Sequence, residues 1–289
     1  MKNHIHRDRV AGKINTRLDE EPPGPQSFNN FRNTFLNNFK KVPSRTKSPD
    51  FTILSETSRT FLNQFFPEAN ANDWLDWKWQ IKNSITSKYQ LEKLLQLNPN
   101  EENFYSYNND TLPLRITPYY ASLLENENSG QSLRKCVVPV EDEYLHHEGE
   151  AKDPLCEEND SPLPNLVHRY PDRILFIITD FCSTYCRYCT RSRMVAKDKH
   201  SHFGKAELEK AFEYIESHKG IRDVLLSGGD PLTLSDMHLH YILSRLRKIQ
   251  HVEFIRIGTK VPVVLPQRIT TTFVNMIKKF HPVWMSIHF

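Results

Sequence analysis

The fold this sequence predicts is α/β: a partial parallel (β/α) barrel preceded by an N-terminal helical region. Three observations predict it. Apolar runs at about 173–179, 223–227, 252–258 and 283–288 have the length of buried strands. Helix-period stretches near 204–218, 235–249 and 270–280 separate them. Strand–helix repeats of about 30 residues imply βαβ units and a parallel sheet. No G-x-G-x-x-G follows the first strand, which disfavours a dinucleotide-binding fold.

Residues 1–70 read as an extension, partly disordered. Its first fifty residues mix basic and acidic clusters with the breaker Pro22-Pro-Gly-Pro25. Phe28, Phe31, Phe35 and Phe39 form one stripe of a short helix, the pattern of a packing or docking face. Residues 71–165 form a helical region and its connecting loop. Trp74, Trp77, Ile81 and Ile85 share one helical face behind Asn72 or Asp73 as cap. A second helix is expected from Ser87 to Leu95, then the segment Leu114-Arg-Ile-Thr-Pro-Tyr-Tyr120 and a loop over 126–165. These helices are expected to pack over the barrel.

Residues 166–289 hold the four strands and end within the fourth. The helix after the second strand shows Leu239, Ile242, Leu243, Leu246 and Ile249 on one face, with Ser235 as cap. Parallel barrels carry their chemistry on loops after the strand C-terminal ends. The cysteine-bearing segment after 179 and Ser227-Gly-Gly-Asp230 both fall there.

Composition narrows the function classes. A net charge of +3, from 38 Lys+Arg against 35 Asp+Glu, gives no argument for nucleic acid. No stretch approaches the roughly 20 apolar residues of a membrane span. Five cysteines without a secretory signal fit a reducing, cytoplasmic setting.

Cys182, Cys186 and Cys189 follow directly on the apolar run Ile174-Leu-Phe-Ile-Ile-Thr179. Three thiolates then come from one short loop at the end of a buried strand. A cubane iron–sulfur cluster is normally held by four thiolates, so three leave one iron open to a ligand. A zinc site, with a fourth ligand from a histidine, Cys136 or Cys156, is the alternative. A disulfide requires an oxidising compartment.

The loop Cys182-Ser-Thr-Tyr-Cys-Arg-Tyr-Cys-Thr-Arg191 has aromatic Tyr188 before its third cysteine. It matches the cysteine loop of radical S-adenosylmethionine (SAM) enzymes. Around it stand His168-Arg-Tyr-Pro-Asp-Arg173, Asp223-Val-Leu-Leu-Ser-Gly-Gly-Asp230, Arg256-Ile-Gly258, Pro262-Val-Val-Leu-Pro-Gln-Arg268 and His281-Pro-Val-Trp284. In this order they resemble lysine 2,3-aminomutase and its relatives, from about Asp73 to Phe289.

The resemblance implies a barrel of the radical SAM type and an isomerase activity, a 2,3-amino shift on an amino acid. It implies a [4Fe-4S] cluster on Cys182, Cys186 and Cys189, with SAM at the open iron. Ser227, Gly228, Gly229 and Asp230 would receive the methionyl amino group, and His288 would lie against SAM. Pyridoxal phosphate (PLP) would stack on Tyr170, with Arg169 and Arg173 on its phosphate; Arg191 would take the substrate carboxylate. Arg187 would favour ionised thiolates, unless it is an ordinary solvated arginine.

One departure qualifies the resemblance. Family members continue well past the position matching Phe289, with further strands, the glycine-rich segment bearing the PLP lysine, and structural zinc ligands. Nothing here matches that lysine segment, so no catalytic lysine is assigned. Four strands would leave the last with an exposed apolar edge. The expectation is therefore a truncated member, completed by a second polypeptide or by oligomerisation, or a SAM- and cluster-binding remnant without aminomutase activity of its own. The sequence does not separate lysine, glutamate, arginine or a protein-bound lysine as substrate.

Overall fold

The computed structural model describes residues 52–106, 111–145, 148–195 and 203–289. The phenylalanine stripe at 28–39 lies outside the described residues.

Five strands form one sheet in the order β1-β2-β3-β4-β5: Leu166–Tyr170, Arg173–Thr179, Asp223–Gly228, Phe254–Thr259 and Val283–Ile287. β2 to β5 run parallel, in register Arg173 with Asp223, Asp223 with Phe254, and Ile255 with Val283. These are the four expected strands. The helices Lys205–Ser217, Asp236–Leu246 and Thr271–Lys278 connect them. The sheet is open: β5 pairs only with β4 among the described residues.

The expectation of four strands missed one. β1 lies antiparallel on β2, pairing Leu166 with Phe176 and Tyr170 with Arg173. Its mixed sequence Leu-Val-His-Arg-Tyr, buried only at its start, carries no clean strand period. Pro171-Asp172 simply turns the chain back onto β2.

The core follows from the apolar runs. Phe176, Val224, Leu226, Ile255 and Ile257 are fully buried beneath Ala211, Phe212 and Ile215 of one helix and Leu239, Ile242 and Leu243 of the next. Each large side chain so buried contributes about 1.5–3 kcal/mol relative to exposure. Ser235 caps its helix as expected, accepting from the His238 N–H at 3.3 Å.

The N-terminal region departs from a single helix over 73–85. It breaks at Asp76 into Ala71–Leu75 and Trp77–Lys82. Asp76 ends the first helix and caps the second, its carboxylate accepting from the Lys78 N–H at 2.9 Å. Asn70, not Asn72 or Asp73, starts the first, with Asp73 completing the capping box. Ile85 leaves the helix to pair with Ile116 in an isolated bridge. Ser87 caps the helix Lys88–Glu92, shorter than expected. Ile85, Leu91, Ile116 and Val137 share one buried cluster with the strands, so this region covers the barrel.

Candidate functional site

Thr179, Gly228, Thr259 and Ile287 end the four parallel strands on one side of the sheet. The cysteine loop leaves from Thr179. It curls tightly, with Cys189 N–H donating to the Cys186 carbonyl at 3.1 Å and Met194 N–H to the Arg191 carbonyl at 2.9 Å. Leu112, Tyr185 and Val195 form a small buried cluster against which Cys182 and Cys189 pack.

The helical region holds this loop from behind. Tyr185 N–H donates to the Arg115 carbonyl at 3.0 Å, and Arg187 N–H to the Cys136 carbonyl at 2.9 Å. Thr117 then ties its own segment to the loop after β4, donating to the Val264 carbonyl at 2.6 Å. The Leu114–Tyr120 segment is thus part of the site's scaffold. Its sequence carried no sign of that, because the signal is a set of backbone contacts.

Arg187 is neither a solvated arginine nor chiefly a partner of the thiols. Its guanidinium forks onto the Glu143 carboxylate at 2.5 and 2.9 Å and onto the carbonyls of Leu112 and Pro113 at 2.7 and 3.0 Å. It pins the loop to two earlier segments.

The glycines read differently in three dimensions. A Cβ at Gly228 (φ 118°) would stand 2.2 Å from the Thr179 carbonyl oxygen, and one at Gly229 2.4 Å from that of Phe181. The close approach that needs glycine is between the β3 end and the start of the cysteine loop. Gly229 N–H donates to Thr179 at 2.7 Å and Asp230 N–H to Phe181 at 2.9 Å.

Asp230 does not present a free carboxylate. It is buried, and both oxygens are engaged. Oδ1 accepts from Leu232 N–H (3.0 Å) and the Thr259 hydroxyl (2.7 Å), and Oδ2 from Lys260 N–H (2.7 Å) and Val261 N–H (3.1 Å). Burial nonetheless raises its pKa, against the lowering effect of these bonds. Its place is structural: it locks the β3 loop to the β4 loop. Ser227, beside it, is half-buried on β3. Arg268 reinforces the same junction, buried and donating to the Leu232 and Leu234 carbonyls at 2.8 and 2.9 Å.

His288 continues from β5, its N–H donating to the Thr259 carbonyl at 2.9 Å, and its ring centroid lies 5.5 Å from that of Tyr188. Lys260, which the sequence reading did not single out, reaches across from the end of β4. Its Nζ donates to the Tyr188 hydroxyl at 2.6 Å. Cysteine loop, Lys260 and His288 thus meet at one end of the sheet.

Arg191 is engaged by Glu157, which its Nε and Nη2 contact at 3.0 and 2.6 Å. Arg193 pairs with Asp153 at 2.8 Å and Glu158 at 3.2 Å.

Arg169, Tyr170 and Arg173 stand elsewhere. They flank the β1–β2 turn, at the start of β2, whereas the cysteines follow its end. Six residue steps of strand separate the two ends, about 20 Å. Arg169 pairs with Asp160 at 2.7 Å, and Arg173 with Asp172 at 3.1 Å while lying 5.3 Å over the Tyr170 ring. The structure does not bring these three to the cysteine end.

All five cysteines are free of disulfides. Burial pushes the Cys182 thiol well up. It also raises Cys186, against the nearby Lys260 charge, and Cys189, against a backbone bond and the charge of Arg191. Thiols of this kind give up their protons on binding a metal. Among the described residues no three metal-ligating side chains close around a single ion; a cubane spreads its thiolates over several irons. Three unbridged, half-buried thiols on one loop suit such a cluster in number and chemistry.

A model of the radical SAM superfamily matches residues 176–288. The chain is 49% identical to L-lysine 2,3-aminomutase of Acetoanaerobium sticklandii over 227 residues, covering 78% of this chain and 55% of that protein. It is 46% identical to L-lysine 2,3-aminomutase of Clostridium subterminale over 226 residues, 78% of this chain and 54% of that one. Glutamate 2,3-aminomutase of Clostridioides difficile is 40% identical over 217 residues, 75% and 51% of the two chains. The chain spans about half the length of these relatives.

Proposed function

Because the chain belongs to the lysine 2,3-aminomutase family of the radical SAM superfamily, we propose that it serves a SAM-initiated amino-group shift on a small amino acid, an isomerase reaction. The observation that carries this is the loop of three free cysteines at the end of β2, faced by Lys260 and His288 from the ends of β4 and β5.

In this reading Cys182, Cys186 and Cys189 would hold a [4Fe-4S] cluster, and the strand-end residues Ser227–Gly229 and His288 would bind SAM. Such a cluster would supply the electron that splits SAM. The chain's own residues do the rest. Packing of Leu112, Tyr185 and Val195 on the loop keeps water from the cluster side. Arg187 fixes the loop to the Leu112–Pro113 and Glu143 segments, and the Gly229 and Asp230 N–H groups hold its root to the β3 end, which the Asp230 carboxylate joins to the β4 loop. Arg191 would take the amino acid's carboxylate by exchanging it for Glu157. A cytoplasmic setting suits the free thiols. Among the described residues no helix is long and apolar enough to cross a membrane. Pairing along β5 by a second polypeptide or a second copy belongs to the same proposal, since Met285 and Ile287 of that strand are exposed.

The test uses the full chain, purified anaerobically and reconstituted with iron and sulfide. Brown protein, and 5′-deoxyadenosine on addition of dithionite and SAM, are expected. Failure to take up iron, or uptake unchanged when all three cysteines are alanine, overturns the reading.

A second reading is SAM cleavage without PLP chemistry on this chain. The position of Arg169, Tyr170 and Arg173, at the far end of β2 and already paired, favours it. No step through PLP is derived from these residues. Borohydride reduction in the presence of PLP separates the two: a labelled chain supports the first reading, an unlabelled one the second.

A further inference from the structure

Between Cys182 and Cys186 two hydroxyls are sealed from solvent and have no hydrogen-bond partner among the described residues. They are the Ser183 Oγ and the Tyr185 phenol, in residues only 1% and 3% exposed. Thr184, between them, is turned to the scaffold, its hydroxyl accepting from the Thr117 N–H at 3.4 Å. Tyr185 is held on two sides. Its N–H donates to the Arg115 carbonyl at 3.0 Å, and the Arg115 guanidinium lies 5.7 Å from its ring centroid. Its ring belongs to the small buried cluster against which Cys182 and Cys189 pack. Neither hydroxyl bonds to a thiol, which is a weak acceptor while it keeps its proton. Burying a hydroxyl without a partner is costly, and in native proteins such groups are nearly always satisfied. These two orphaned donors point to an acceptor that the polypeptide does not supply.

We infer that Ser183 and Tyr185 are positioning residues of the cysteine loop, their hydroxyls being donors kept for the sulfurs of a bound cluster. The inference rests on the reading of Cys182, Cys186 and Cys189 as cluster ligands. Thiolates and sulfides are ionised acceptors, and hydrogen bonds to ionised groups are the strong ones. The iron-free loop thus carries two unmet hydroxyls that a cluster satisfies. A cluster gains negative charge when reduced, so donors to its sulfurs favour the reduced form. Ser183 and Tyr185 therefore ease the electron uptake that SAM cleavage requires. Arg115, by holding Tyr185 through its carbonyl and covering its ring, gives the helical region a part in that tuning.

The experiment compares full-length wild type, Ser183→Ala and Tyr185→Phe, each variant losing one oxygen and little else. Urea unfolding is followed on the iron-free, thiol-reduced proteins. On the anaerobically reconstituted proteins, iron and sulfide per chain are measured, and the midpoint potential is read by EPR-monitored redox titration without SAM. Expected are an iron-free urea midpoint that is unchanged or raised in both variants, because an unmet hydroxyl is gone, and a potential displaced to more negative values. EPR sees loaded chains alone, so a variant with less iron still yields its potential. Hydroxyls satisfied by the protein or by trapped water give the reverse: lowered iron-free stability at the wild-type potential. That pattern, or a common potential in all three proteins, overturns the inference and leaves the cluster reading standing. A wild type that takes up no iron overturns the cluster reading, and the inference with it.

Discussion

Thr259 donates its hydroxyl proton to the Asp230 carboxylate at 2.7 Å, joining the end of β4 to the loop after β3. Three backbone N–H groups complete the same carboxylate's shell. Asp230→Ala strands the Leu232 and Lys260 N–H groups and the Thr259 hydroxyl, while the Val261 N–H keeps the Thr259 oxygen at 3.0 Å. Each unsatisfied group costs about 1–3 kcal/mol, so a loss of more than about 3 kcal/mol in urea unfolding is expected. Asp230→Asn keeps one acceptor oxygen but turns an amide N–H toward another donor, and should fall between. A change below about 1 kcal/mol for the alanine variant would show that water replaces the carboxylate.

The Arg187–Glu143 pair predicts that guanidinium shape matters, beyond charge. Both side chains are largely buried, and breaking a buried pair by removing one partner costs about 3–5 kcal/mol. Arg187→Met should lose a comparable amount. Arg187→Lys should recover less than half, since a single ammonium cannot serve a carboxylate and two carbonyls in the fork's geometry. Thermal and urea unfolding of both variants measure this. Full rescue by lysine contradicts it.

How much of this was legible beforehand depended on whether the signal was local. The runs at Ile174–Thr179 and Asp223–Ser227 announce strands because they are short and mostly apolar, β2 buried through most of its length and β3 at alternate positions, and Ser235 announces a helix start by its own cap. The cysteines, Ser227–Asp230 and His288 were expected at strand ends, and they follow or end β2, β3 and β5 on one side of the sheet. The break at Asp76 was hidden because two short helices keep the apolar spacing of one. Lys260 was invisible for another reason: its partner Tyr188 is 72 positions away. The turn at Pro171-Asp172 sends Tyr170 back to the start of β2. Nearness in sequence to the cysteines therefore does not become nearness in space.

Stability should depend on acid pH through Glu209. Its carboxylate joins the two outer helices by accepting from Arg245 at 2.6 Å and from the Tyr241 hydroxyl. The Arg245 bond, then that of Tyr241, holds its pKa below the ordinary value of 4.5. A lowered folded pKa contributes stability above the ordinary value, and that contribution is lost as pH falls through the folded one. The pair is partly exposed, so its size is about 0.2–1 kcal/mol. Glu209→Gln should be less stable than wild type near neutral pH and indistinguishable from it near pH 2, by urea unfolding at each pH. A gap that persists in acid would trace the effect to shape rather than charge.

The glycines offer a test in which packing and iron binding separate. A Cβ at Gly229 would meet the Phe181 backbone at 2.4, 2.6 and 2.8 Å, with no flexible side chain there to yield. Phe181 immediately precedes Cys182, so the displaced segment is the root of the cysteine loop. At Gly258, on neighbouring β4, a Cβ meets nothing closer than 3.7 Å. Gly229→Ala is therefore expected to lower iron per chain several-fold after anaerobic reconstitution, while Gly258→Ala keeps the wild-type content. Circular dichroism on the same samples checks that the sheet survives. Cys182 depends on the Gly229 contact and the sheet does not, so iron should be lost before secondary structure. Equal iron in the two variants would mean that the loop is held by Arg187 and the Arg115 carbonyl alone.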